Sequence, residues 1–199
     1  KKIIAVVLCV VLALACVGMT SCGDAADKQS VDAIKKAGKL TMYTNAEFPP
    51  FEFISAKGVI GEYDGIDIAI ADLIAKDNGM TAEISNMEFD AVCLSVGQQK
   101  CDIAMAGLSV TPERQKVVTF SDSYYNASQM IVCKADDTTF DACKTADDVV
   151  AILNKMAKTD RIGCQQGTTG EIYINGDIDD PDGYGFAGLT AEAASYKYV

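Results

Sequence analysis

Histidine is missing from all 199 residues. That removes imidazole acid–base catalysis and the commonest metal ligand. Cations are scarce as well: 17 Lys and Arg stand against 28 Asp and Glu, and two of the lysines are Lys1 and Lys2. Counting from Cys22 leaves 15 basic residues and a net charge of −13. Such a balance argues against nucleic acid and against docking on anionic lipid through a basic patch. No pair among the 8 cysteines is spaced Cys-x-x-Cys. After Cys22 there remain Cys93, Cys101, Cys133, Cys143 and Cys164, an odd set lying mostly in apolar runs. They read as buried thiols rather than a disulfide framework, with Cys133 and Cys143 the pair to inspect first. Past the N-terminus no apolar stretch is long enough to span a bilayer. No metal or cofactor is expected.

The N-terminus carries what the rest lacks. Lys1-Lys2 is a positive start, and Ile3 to Val17 is apolar but short for a membrane span. Met19-Thr20-Ser21-Cys22-Gly23 then places small residues before a cysteine, the pattern of a lipoprotein cleavage box. Cys16, after Ala13-Leu14-Ala15, is the competing site; polar chain begins only after Cys22, which favours Cys22. Residues 1–21 are therefore expected to be a lipoprotein signal peptide, with Cys22 lipidated. Residues 22–29 are a tether, and the protein is lipid-anchored outside the cytoplasm.

The remainder alternates strands and helices. Ser30 caps a helix over 31–37 that Gly38 ends. A strand runs over 39–45, and Pro49-Pro50 breaks regular structure. Residues 52–63 suit a hairpin around Gly58 and Gly61. Asp67 is expected to cap a helix to Asn78, with Ile68, Ala71 and Ile74/Ala75 on one face. A strand at 83–86, a helix at 89–99 and a strand at 102–106 follow. Strands are also expected at 128–134 and 161–165, and Thr145 caps a helix to Met156. This alternation implies a mostly parallel sheet, with ligands beyond the carboxyl ends of its strands.

Arg114 is the most telling residue. Thr111 can cap a helix whose first residue is Pro112, which puts Arg114 in the first turn. A cation there opposes the helix dipole, so it needs a compensating partner. A small carboxylate suits the guanidinium fork. A surface pairing with Glu113 or Asp122 is the plainer reading of that arginine alone.

Four strings occur in order: TNAEFPPFEF (44–53), GIDIAIADLIAKDNG (65–79), DIAMAGLSVTPERQKVVTFSDSYY (102–125) and IGCQQGTTG (162–170). Together they resemble the amino-acid-binding solute-binding proteins, family 3, of ABC importers. The resemblance covers roughly residues 30–170. It implies a two-lobed α/β fold of the periplasmic-binding-protein kind (type II), each lobe a mostly parallel sheet flanked by helices. Residues 30–127 would form lobe one and 128–199 part of lobe two. Lobe two is expected to be incomplete and the return segment to lobe one missing.

The resemblance also assigns roles. Arg114 would clamp the ligand carboxylate, with Thr169 closing from lobe two and Thr168 beside it at a helix start. Ser109 and Gly107 would accept from the ammonium. Phe48 would stack over the ligand and Ile66 would add to the apolar wall. Asn45 and Gln165 would face the variable side chain. Without the resemblance, Phe48 and Ile66 read as well as core packing, Ser109 as a strand-end or turn hydroxyl, and Thr168 and Thr169 as caps.

Two other features fail. Gly183-Tyr184-Gly185-Phe186-Ala187-Gly188 matches GxGxxG but follows an acidic loop, with no helical pattern after it. The acids Asp177, Asp179, Asp180 and Asp182 fit no EF-hand frame on Gly183, which would put Ile178 and Leu189 at ligand positions. The function implied is capture of a free amino acid and delivery to an ABC permease by a monomer with no catalytic residue. The alternatives are a dehydratase-type enzyme using Glu47 as acid or base, and the ectodomain of a receptor.

Overall fold

A computed structural model gives the fold and describes residues 30–157, 159–176 and 192–196. Cys22 and its signal segment, the acids of 177–182 and the glycines of 183–188 lie outside the described residues. Ser30 Oγ accepts the Ala33 N–H to open α1 (Val31–Ala37), and Gly38 closes it in a left-handed turn. β1 (Lys39–Thr44) follows with alternate residues buried, so Leu40, Met42 and Thr44 face inward.

β1 is the centre of a parallel sheet of order β5-β1-β6, with β5 at Thr81–Asn86 and β6 at Ile103–Ala104. α2 (Ile66–Asp77) lays Ile68, Ala71 and Ala75 on this sheet, whereas Ile74 stays exposed. Met42, Ile68 and Ala71 form one buried cluster, and Leu40, Ala75 and Met80 another. A small antiparallel sheet precedes α2: β2 (Glu47–Phe48), β3 (Glu52–Ile54) and β4 (Tyr63–Asp64). Pro49 and Pro50 make its first turn, with Phe51 N–H donating to Phe48 O. The sequence reading missed β2, because two prolines hide a two-residue strand.

Several expectations need correction. Gly65, not Asp67, is the N-cap of α2. A Cβ at Gly65 would sit 2.2 Å from Phe51 O, and its φ of +122° is one that L side chains rarely adopt. Asp67 lies two residues further in, with its carboxylate turned to distant partners. α3 is Phe89–Gly97, shorter than 89–99, and α5 is Ala146–Leu153, shorter than 145–156. β6 keeps two of the five residues expected at 102–106. Residues 128–134 form no strand: among the described residues no ladder partner lies beside them, and Met130 and Val132 are 83% and 94% exposed.

A second parallel sheet pairs β7 (Arg161–Gln165) with β8 (Glu192–Tyr196), a strand the sequence reading did not place. α5 carries a capping box, in which Thr145 Oγ1 accepts the Asp148 N–H and Asp148 accepts the Thr145 N–H. α6 (Thr169–Asn175) follows β7. The cysteines are mixed. Cys93 and Cys101 are buried, Cys143 and Cys164 half-buried, and Cys133 exposed. All five are free thiols, so Cys133 and Cys143 are not joined. Burial pushes the Cys101 thiol up to about 11. Among the described residues no helix is long and apolar enough to cross a membrane.

Candidate functional site

Two chain reversals at the carboxyl ends of β1 and β6 set the site. Asn45 leaves β1 and Gly107 lies three residues beyond β6. Gly107 has φ +54°, and a Cβ there would sit 3.2 Å from the Phe48 ring. Only glycine lets Phe48 approach the turn so closely. Phe48 stacks on Phe51 at 5.4 Å between centroids, and Phe51 meets the edge of Tyr125 at 4.9 Å. Phe48 itself remains 52% exposed, which leaves ring surface free to cover a small molecule.

α4 (Pro112–Gln115) delivers Arg114. Thr111 Oγ1 accepts the Arg114 N–H at 3.1 Å, with Pro112 at the first helical position. The guanidinium spans a junction: Nη1 donates to Ser109 O at 2.7 Å and Nη2 to Gly167 O at 3.0 Å. Its Cζ lies 5.4 Å over the Phe89 ring. Two carbonyl dipoles and a ring face thus compensate the adverse helix dipole. Glu113, the plainer candidate partner, pairs instead with Lys116.

The turn after β7 supplies the other wall. Gln165 Nε2 donates to Asn45 Oδ1 at 2.9 Å, and Asn45 Nδ2 donates to Met87 O at 3.0 Å. Thr168 Oγ1 donates to Gln165 O at 2.8 Å, and the Gly167 N–H is held by Glu171. Thr169 is buried and its Oγ1 accepts from Gln129 Nε2 at 2.9 Å. Ile66 opens α2, with its N–H on Pro50 O. The structure therefore joins Arg114, Ser109 and Gly167, joins Asn45 with Gln165, and joins Phe48 with Gly107. Thr168 and Thr169 sit one and two residues past Gly167.

Four contributors escaped sequence reasoning. Phe89 lies under Arg114, and Gln129 holds Thr169. Asp67, fully buried, accepts from Gly107 N–H at 2.9 Å and from Tyr124 O–H at 2.7 Å. Glu52 is buried beside it. A buried acid inside an apolar helical face was the one visible signal for Asp67.

Residues 40–173 match the model of bacterial extracellular solute-binding proteins, family 3. The chain belongs to that family. The arginine-binding extracellular protein ArtP of Bacillus subtilis (strain 168) is 33% identical over 131 residues, which are 66% of this chain and 46% of ArtP. The arginine-bound form of truncated ArgBP from T. maritima is 32% identical with a TM-score of 0.62, covering 82% of this chain and 67% of that one. The ancestral amino acid-binding protein AncCDT-1, a precursor of cyclohexadienyl dehydratase, is 32% identical with a TM-score of 0.62, covering 83% and 63%. The chain spans about half the length of the curated relatives it matches. Its fold is the two-lobed α/β architecture of the periplasmic amino-acid-binding proteins, and the hydrogen bonds Arg114–Gly167 and Gln165–Asn45 tie the segments after β1 and β6 to the end of β7 and the turn that follows.

Proposed function

We propose that this family member binds a free amino acid outside the cytoplasmic membrane and hands it to an ABC importer permease. The observation that carries this reading is Arg114, whose fork rests on Ser109 O and Gly167 O from the two sides of the junction. A ligand carboxylate would take both donors at once, a better match to the fork than two separate carbonyls. Thr169 and Thr168 would close on that carboxylate, while Ser109 and the Gly107 carbonyl accept from the ammonium. Phe48 and Ile66 form the apolar wall. Asn45 and Gln165, which already share a hydrogen bond, select the side chain. Lobe closure is a hinge motion.

L-Arginine is the first ligand to test, since two of the proteins similar to this chain are named for it. Glu47, exposed beside Phe48, supplies an anion for a cationic side chain. The same Glu47 served the dehydratase alternative, yet the dehydratase precursor among the similar structures is itself named an amino acid-binding protein. We therefore assign no catalytic residue and no cofactor. Cys22 would anchor a monomer to the membrane through lipid, placing 30–127 and 128–199 as its lobes.

Calorimetry on the full-length protein with the common amino acids tests the reading. Binding of at least one, weakened when its carboxylate is replaced by an amide, is the expected result. Equal affinity for acid and amide would remove Arg114 as the carboxylate clamp. Asn45→Asp should shift preference toward cationic amino acids; an unchanged ranking would place Asn45 outside the side-chain pocket.

A further inference from the structure

Glu52 is 0% exposed, and among the described residues neither oxygen of its carboxylate has a hydrogen-bond partner. A buried anion without a donor is costly, and such a group keeps its proton instead. Its neighbour is Asp67, also 0% exposed. Asp67 is well supplied: Oδ2 accepts from Gly107 N–H and Oδ1 from Tyr124 O–H. Two carboxylates enclosed together do not both ionise. The one without a donor is the one that keeps a proton.

A proton on Glu52 gives one of the two oxygens a partner, because it becomes a hydroxyl that donates to Asp67, and leaves the other a neutral carbonyl that is less costly to bury than an anion. The geometry makes this bond central. Glu52 stands on β3, Asp67 on α2, Gly107 after β6, and Tyr124 on the segment that leaves the first sheet. A Cβ on Gly107 would lie 3.9 Å from Glu52 Oε1 and 3.2 Å from Phe48. The titratable groups facing the pair are Asp67 itself and Tyr124; Asp64 of β4 turns to the Gly65 N–H. Desolvation first, then the charge of Asp67, pushes the Glu52 carboxyl up to about 9. Burial and Asp67 push the Tyr124 hydroxyl up in the same sense.

We propose that Glu52 is a protonated positioning residue whose carboxylic O–H donates to Asp67 and so holds Gly107 and Tyr124 in place around the ligand site. The proton assignment stands on the buried pair; its effect on affinity rests on the amino-acid-binding reading above. The folded state keeps a proton that the unfolded chain sheds above its ordinary value of 4.5. The associated stability is full below that value and is lost as pH rises toward about 9.

Carbon-13 NMR of the glutamate side-chain carboxyls in the full-length protein is the direct test. One resonance, absent from Glu52→Gln, is expected to titrate far above the rest, near pH 9. Glu52→Gln keeps a donor toward Asp67, so it should keep wild-type affinity for L-arginine at pH 7 and lose the alkaline fall in Tm. Glu52→Ala, with no donor, should lose about tenfold in affinity, the scale of one hydrogen bond. A Glu52 resonance titrating with the ordinary glutamates overturns the proposal, whether or not the alanine variant folds. So do Tm–pH curves for wild type and Glu52→Gln that run parallel. Failure of the wild type to bind L-arginine would count against that ligand alone, because the titration still decides the proton.

Discussion

Among the described residues, buried side chains gather around the first sheet and thin out beyond Thr111. Around β1 the buried residues form two clusters, tied to α2 and to half-buried neighbours on β5 and β6. Beyond Thr111 the buried side chains among those described are Leu153, Thr169 and Ile174, and residues 121–139 are exposed throughout. Close packing makes the first body resist deformation. The candidate site sits on the border. Gly107, Phe48 and Ser109 come from the dense side, whereas Gln165, Thr168 and Thr169 come from the sparse one.

The contrast is broken most severely inside the dense body. Met42→Ala, at a fully buried position, should cost about 2–5 kcal/mol of stability, while Leu153→Ala should fall at the low end of that range because exposed neighbours can collapse into the space. Denaturant titration of both variants measures the gap, and a larger loss at Leu153 would reverse the ranking of the two bodies. At the border, Arg114→Ala should weaken amino-acid binding by about 2–5 kcal/mol by calorimetry, with Arg114→Lys a poor substitute because one ammonium cannot serve Ser109 O and Gly167 O as the fork does. Within the sparse body, Thr145→Ala removes the cap of α5 and should cost about 1 kcal/mol, read from the same titration. The smallest effect belongs to Val132→Ala, expected within about 0.5 kcal/mol of wild type. A loss well above that would mean that Val132 itself has a packing partner.

Local chemistry was legible in the sequence. Ser30, Gly38, Thr111 with Pro112, and Thr145 act within four residues of themselves, and each reads as a cap and serves as one. The apolar face of α2 was legible too, apart from the choice between Ile74 and Ala75. What failed depends on distance along the chain. Asp67 reads as a cap until Gly107 and Tyr124 arrive from 40 and 57 residues away. Residues 128–134 look like a strand because their side chains favour one, but a strand also needs a neighbour. Phe89 and Arg114 meet only after β6 and α4 have been placed, so neither announces the other.

One contact near the floor of the first sheet has reach beyond its size. Asp102 Oδ2 accepts both the N–H and the hydroxyl of Thr41, at 2.7 and 2.6 Å, and the Asp102 N–H returns to Thr41 O. β6 pairs with β1 at only two positions, too few for the ladder to fix its own alignment. The aspartate acts as the zero mark of a ruler. Everything downstream is measured from it: three residues past β6 to Gly107, five to Ser109, ten to Arg114. A slip of one residue would shift each by about 3.3 Å. That exceeds the tolerance of a hydrogen bond, so Gly107 would miss Asp67 and Arg114 would miss Gly167. The accuracy of the whole site is inherited from a carboxylate that never touches it.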